Sequence, residues 1–331
     1  MTPPKHPLTR RRLMVAAGAA TALAALPGAL NAQAWPTRPL RVVVPFPPGG
    51  TTDFVTRLVC TELAKALGQP IVVENKPGAG TVIGVDNVAK SPPDGTSFVT
   101  VANSFAANVT LVKKLPYDPL KDLRPVALMG MSEHVLATHP GSGIRSVADL
   151  RTAARKGGGT LSYASFGNGT SAHLSGAALA QQMGVELVHV PYKGQAPALT
   201  DLLGGQVTLM FGNWPEFRSH VQSGKLVAVG MATAKRSAHA PDILTLTEQG
   251  VAIVSNSWNG LLAPGGTPDA VVQRMNAEVN RALASPPVVE AFQKGGIASL
   301  SGTPEQFAAF IRAEIEQYAA VIRKAGITLD T

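Results

Sequence analysis

RVVVPFPPGGTTDF, residues 41–54, runs from a buried-type apolar stretch through a Pro/Gly turn straight into the start of a helix. Val42 to Phe46 has the continuous apolar character of a strand covered on both faces. Beyond it, Val55, Val59, Leu63 and Ala66 share one face of a helix over Thr52 to Leu67, which Gly68 is placed to end. At the junction, Gly49, Gly50, Thr51 and Thr52 leave backbone N–H groups without intrahelical acceptors, where aligned peptide dipoles favour a negative charge. The junction therefore suits a carboxylate, although a tight turn with no ligand fits the same residues. Asp53 also has two readings: a charge favourable to the helix dipole, or a cleft residue holding water or a ligand donor. Arg57, one turn on, is spaced to pair with it.

Outward from this segment, strand-length apolar runs alternate with helical stretches, as at Ile71 to Glu74, Phe98 to Ala102, Leu161 to Ser165, Leu187 to Pro191, Val207 to Phe211 and Leu226 to Met231. That rhythm predicts an α/β fold of mostly parallel sheets with helices on both faces. Thr267-Pro268 and Thr303-Pro304 each place an N-cap Thr before a Pro at the first helical position, and Gln306 completes a capping box. The last helix should start near Pro304 and carry an apolar stripe through Phe307, Phe310, Ile311, Tyr318, Val321 and Ile322 to Gly326. Glu314 falls inside that stripe with no reason visible in sequence. Residues 125–140 read as a double strand broken at Ser132-Glu133, and 254–268 as one broken at Asn256 to Asn259. Two such crossings fit one lobe interrupted by another, with a two-strand hinge that permits closure.

A second polar, Gly-spaced loop, SFGNGTSAH from Ser165 to His173, repeats the logic of the first. Ser165, Thr170 and Ser171 offer hydroxyls, while Gly167 and Gly169 free backbone N–H groups ahead of a helix. An N-capped helix after a plain turn is the alternative. If each loop ends a strand on its own lobe, the two face one another across the cleft where α/β sheets take ligands. Tyr192 ends a strand and is placed to wall that cleft, with Lys193 beside it as the nearest cation. His173 is a further candidate.

Residues 1–34 read as an export signal. Arg10, Arg11 and Arg12 form a twin-arginine pattern, Val15 to Leu26 is apolar, and Ala32-Gln33-Ala34 offers a cleavage site after Ala34. A periplasmic location is expected, with no lipid anchor because no Cys follows the site. The formal charge of +8 falls to +4 once Lys5, Arg10, Arg11 and Arg12 leave, since no acidic residue leaves with them. No basic cluster is interleaved with aromatics, so nucleic acid is not an expected partner. The lone Cys60 cannot form an internal disulfide and reads as a packed apolar residue. Scattered His residues give no metal site, GAGTVIG at 78–84 lacks the spacing of a dinucleotide fingerprint, and no GxSxG elbow or P-loop occurs. No cofactor and no metal are expected.

WPTRPLRVVVPFPPGGTTD (35–53), IVVENKPGAGTVIG (71–84), PPDGTSF (92–98), LPYDPLKDLRPV (115–126), YASFGNGTSAHLSG (163–176), HVPYKGQAPALTDLLGGQV (189–207), SWNGLLAPGGTP (257–268) and TPEQF (303–307) follow one another down the chain. In that order they resemble the Bug or TctC family, the extracytoplasmic solute-binding proteins of tripartite tricarboxylate transporters. Two positions depart from the pattern: Thr81 stands where a second paired Gly is usual, and SFAANVTL lacks an Asn-Pro step. The resemblance implies a two-lobed type II periplasmic binding protein, with residues 35–132 and 260–331 in lobe one and 133–259 in lobe two. It implies a monomer that captures a small organic carboxylate and delivers it to membrane permease subunits. By analogy Asn103 and Ser104 join the carboxylate site, and the expected ligand-binding set is Phe46, Gly49, Gly50, Thr51, Thr52, Asp53, Asn103, Ser104, Ser165, Gly167, Gly169, Thr170, Ser171, His173 and Tyr192. The runner-up is an exported hydrolase on the same scaffold, using Ser171 with His173.

Overall fold

The computed structural model describes residues 35–156 and 161–328. The twin-arginine segment and its cleavage site lie outside the described residues. From Arg38 the chain forms one unit. The apolar run becomes strand β1 (Leu40–Val44), and the Pro/Gly turn feeds helix α1 (Thr51–Leu67), which Gly68 ends in the left-handed region by donating to the Ala64 carbonyl. Then follow β2 (Ile71–Asn75), α2 (Val82–Ala89), β3 (Ser97–Val101), α3 (Asn103–Leu111), β4 (Leu123–Thr138) and α4 (Val147–Arg155). The middle of the chain supplies β5 (Ser162–Ser165), α5 (Ser171–Met183), β6 (Val188–Pro191), α6 (Gln195–Leu203), β7 (Leu209–Asn213), α7 (Trp214–Gln222) and β8 (Val227–Met231). It closes with β9 (Asn256–Pro264), α8 (Asp269–Leu283), α9 (Pro286–Gly295), β10 (Ile297–Ser299) and α10 (Pro304–Ala325).

One sheet runs in the order β2-β1-β3-β9-β4-β7-β5-β6, with β8 and β10 also paired to β4. Its two flanks are parallel, as the strand-helix rhythm predicts. The centre is not: every pairing made by β4 and β9 is antiparallel, so the sheet is mixed rather than mostly parallel. The strand expected to break at Ser132-Glu133 is continuous from Leu123 to Thr138, and β9 runs unbroken through Asn256 to Asn259. Polar residues do not interrupt a strand whose backbone ladder stays paired. What changes there is the partner: Glu133 pairs with Asn256 in β9, and His134 pairs with Asn213 in β7.

Each end of the sheet carries its own apolar core. One gathers Val43, Val99, Phe105, Trp258, Phe307 and Ile311, and the other Leu136, Leu150, Leu179, Leu209 and Phe211. Burying each of these side chains stabilises the fold by about 1.5–3 kcal/mol. In α10 the capping box forms as expected, with the Thr303 hydroxyl accepting from the Gln306 amide and the Gln306 side chain accepting from the Thr303 amide. Glu314 also finds its reason: the Trp258 indole N–H donates to its Oε2 at 2.6 Å, although burial pushes the carboxyl above the usual range. Thr267 is not a cap, because α8 begins one residue later with Pro268 at the N-cap, and the Thr267 hydroxyl has no partner among the described residues. Cys60 is packed in α1, and burial pushes its thiol up to about 12, which leaves it unreactive. Among the described residues no helix is long and apolar enough to cross a membrane.

Candidate functional site

The first loop is built as its sequence suggests, but its donors are shared out. Gly49 sits at φ +91°, and its N–H is accepted by Asp53 Oδ2 at 3.1 Å. Asp53 also accepts from Arg57 Nε (3.0 Å) and from the Asn75 amide (2.9 Å), so its carboxylate braces the loop. Burial alone would raise the Asp53 carboxyl, but these hydrogen bonds outweigh it and hold the group below the usual range. The Thr51 N–H donates to Glu216 Oε1 at 2.8 Å, and the Thr51 hydroxyl both donates to that oxygen and accepts from Asn213 Nδ2. Glu216, at the start of α7, is half-buried with its carboxyl enclosed, which pushes that carboxyl up. The next two amides of α1, on Thr52 and Asp53, find no acceptor among the described residues.

Those two amides border a cavity of ≈ 70 Å³, partly open to solvent. Around it stand the first turns of four helices: Gly50 to Asp53 of α1, Ala102 to Ser104 of α3, Thr170 and Ser171 of α5, and Gly194 to Pro197 of α6. Phe46, Pro47, Pro48, Phe166, Asn213 and Ser257 complete the wall. Among the described residues no Lys, Arg or His lines it, and its one charged residue, Asp53, is already engaged. Each helix start carries roughly half a positive charge on its unpaired amides. The cavity is thus set for an anion without a formal cation, and Phe46, Phe166 and the prolines supply an apolar wall for the body of a small molecule.

Of the residues singled out from sequence, Phe46, Gly50, Thr51, Thr52, Asp53, Asn103, Ser104, Thr170 and Ser171 meet at this cavity. The others do not. Gly49 borders a separate cleft beside Phe54 and Pro215. Gly167 and Tyr192 line a neighbouring chamber of ≈ 400 Å³ that shares Phe46, Pro47, Phe166, Thr170 and Gly194 with the first. The amides of the second loop are consumed internally, Gly167 N–H by Ser165 Oγ (3.2 Å) and Gly169 N–H by His173 Nδ1 (3.2 Å). Ser165 Oγ pairs with His189 Nε2 at 2.7 Å, and the Tyr192 hydroxyl donates to Asp201 at 2.6 Å. Asn103 lines the cavity, but its side chain is spent on the fold, accepting from Trp258 N–H and donating to the Tyr318 hydroxyl and the Asn256 carbonyl. It ties the start of α3 to β9 and α10.

The Ser171 and His173 pair of the hydrolase reading does not form. His173 stacks on His189 with ring centroids 4.0 Å apart, and burial pushes it down to about 4. The ring nitrogen nearest Ser171 Oγ belongs instead to His134, at 3.5 Å. His134 was not singled out. It lies wholly buried beneath the cavity, between Ser255 (2.8 Å) and Asn213 Oδ1 (3.0 Å). Since the Asn213 amide nitrogen donates to Thr51, its oxygen accepts, so His134 carries its proton on Nε2. Burial pushes His134 down to about 4, with the Asn213 bond working the other way.

Gln195 and Asn213 were missed as well. One local signal existed: Gly194 at φ +121° opens α6 after a strand, a third Gly-bearing strand-to-helix turn like the two that were read. Asn213 carries no such signal. The Asn213 N–H donates to Gln195 Oε1 at 3.0 Å, a contact made only because β7 and α6 are neighbours in space.

Comparison with known proteins agrees with this architecture. Residues 55–327 match the family described as tripartite tricarboxylate transporter family receptor, TctC. BugT of Bordetella pertussis is 37% identical over 321 residues, covering 96% of this chain and 98% of BugT. A solved R. palustris protein with adipate superposes with a TM-score of 0.85 at 34% identity, over 89% of this chain and 99% of that one. MatC from Rhodopseudomonas palustris, with bound malate, gives 0.83 at 33% identity, over 87% of this chain and 100% of MatC. Matched over most of its length by these relatives, the chain belongs to the TctC family of tripartite tricarboxylate transporter receptors.

Proposed function

We propose that this protein is an exported solute-binding protein that takes a small organic carboxylate into the cavity among its four helix starts and hands it to membrane permease subunits. The observation that carries this reading is the convergence of neutral donors from distant parts of the chain, with the Thr52 and Asp53 amides left over after Glu216 has taken Thr51. Adipate and malate in the solved relatives are ligands of the same class. The lobes divide as 35–132 with 260–331 against 133–259, a division supported by the change of partner along β4 between Glu133 and His134. Closure of the lobes covers the solute, and opening releases it unchanged. Receptors of this family are extracytoplasmic, and cleavage after Ala34 would free the protein as a monomer in the periplasm.

A ligand that binds only the folded form stabilises it by RT ln(1 + [L]/Kd), about 2.7 kcal/mol at a hundredfold excess over Kd. Thermal melting against mono-, di- and tricarboxylates should show a concentration-dependent rise for at least one. A flat response across all three classes overturns the proposal. Recovery of a chemically altered solute after long incubation would instead establish turnover.

A further inference from the structure

Thr81 holds a backbone conformation at φ +85°, ψ −10°, which β-branched residues rarely adopt. It stands immediately before α2, where a Thr ordinarily caps the helix with its hydroxyl, yet it makes no such bond. The hydroxyl turns instead to Ser104 Oγ, 3.1 Å away, and among the described residues that is the one hydrogen bond of either hydroxyl. Both residues are buried, at 4% and 1% exposure. Ser104 borders the inner cavity, and Thr81 borders the adjoining chamber. The segment is held to α3 at a second point, where Asn108, one helical turn beyond Ser104, donates to the Gly80 carbonyl at 2.8 Å. A glycine would adopt this backbone without strain. The feature of Thr81 that a glycine lacks is the contact with Ser104.

We propose that Thr81 is a positioning residue for the bound solute: its hydroxyl donates to Ser104 Oγ, which leaves the Ser104 proton to be donated to a carboxylate in the cavity. This rests on the carboxylate reading above. With Thr81 absent, the Ser104 hydroxyl turns freely and loses its bias toward the guest. The test is calorimetric titration of malate and of adipate into the wild type, Thr81→Gly, Thr81→Ser, Ser104→Ala and the Thr81→Gly/Ser104→Ala pair, with melting of each free protein. Thr81→Gly should bind about tenfold more weakly while melting no lower than the wild type, because glycine relieves the backbone. Thr81→Ser should restore affinity to within about threefold of the wild type, and the double variant should bind no more weakly than Ser104→Ala alone. Unchanged affinity in Thr81→Gly, or losses that multiply in the double variant, overturns the assignment. If the wild type binds neither probe and no other mono-, di- or tricarboxylate, the carboxylate reading falls and this inference with it.

Discussion

The Thr51 amide N–H lies 2.8 Å from Glu216 Oε1, joining residues 165 positions apart, and the Thr51 hydroxyl donates to the same oxygen. The outermost donor of the α1 start is therefore occupied by a carboxylate of the protein itself. Glu216 Oε2 is buried without a partner. Burial pushes the carboxyl above its ordinary value of 4.5, against the opposing hydrogen bonds from Thr51. Because the buried form prefers the proton, the stability it contributes is fully present below 4.5 and is lost as pH rises through the raised value. Glu216→Gln keeps an acceptor for Thr51 and removes the charge. Its melting temperature should gain on the wild type as pH rises from 4.5 through the raised value; a gap that does not change with pH would contradict this reading.

Gly50 has ordinary extended backbone at φ −91°, ψ 172°, and a Cβ built there meets no atom within 4 Å. A side chain at this position enters open space at the cavity rim rather than the core. Gly50→Val should melt within a few degrees of the wild type and lose the carboxylate-induced rise in melting temperature. Retention of that rise would remove the first loop from the binding site.

Asp53 accepts from Arg57, Asn75 and the Gly49 amide, and its carboxyl is held below the ordinary 3.8. The stability it contributes is present above 3.8 and is lost as pH falls through the lowered value. In urea unfolding at pH 7, Asp53→Asn should cost about 1–3 kcal/mol, the usual worth of hydrogen bonds to a charged group. The two proteins should begin to converge as pH falls below 3.8 and meet once it has passed the lowered value.

His134 and His173 are both pushed down from 6.5 to about 4 by burial, and His189 to about 3 by burial and the neighbouring His173. Each is neutral in the folded protein at pH 6 and takes up a proton more readily when unfolded. Their stability is present above 6.5 and is lost as pH falls toward 4, by up to about 1.4 kcal/mol per pH unit for each fully buried ring. Urea unfolding followed from pH 7 to 4.5 should show a steep decline that His134→Gln makes shallower. A His134→Gln slope equal to that of the wild type would show that this ring is not neutral as assigned.

Local features were legible in the chain to within a residue or two. The helix expected from Thr52 runs from Thr51, and the last helix starts at Pro304 with its capping box formed, because caps, proline and 3.6-residue periodicity act within one or two turns. Ser132 and Glu133 misled in the opposite direction. Their polarity suggested a break, but a strand with partners on both sides takes its length from the ladder, and β4 continues through them. Glu216 and Asn213 at Thr51 belong to no motif that sequence reading could weigh, whereas Gln195 at the cavity wall follows the Gly194 turn that could have pointed to it.

From the sequence alone came the presence of glycine-bearing strand-to-helix turns and the ordered segments that mark the family, since both are written in short contiguous stretches. Which amides remain free for a guest was decided by the tertiary structure. A backbone N–H is available only if no acceptor reaches it first: Ser165 and His173 reach Gly167 and Gly169 from within their own loop, but across the fold Glu216 reaches Thr51 while nothing among the described residues reaches Thr52. That competition depends on the order of strands in the sheet, which brings segments more than a hundred residues apart to the same few ångströms.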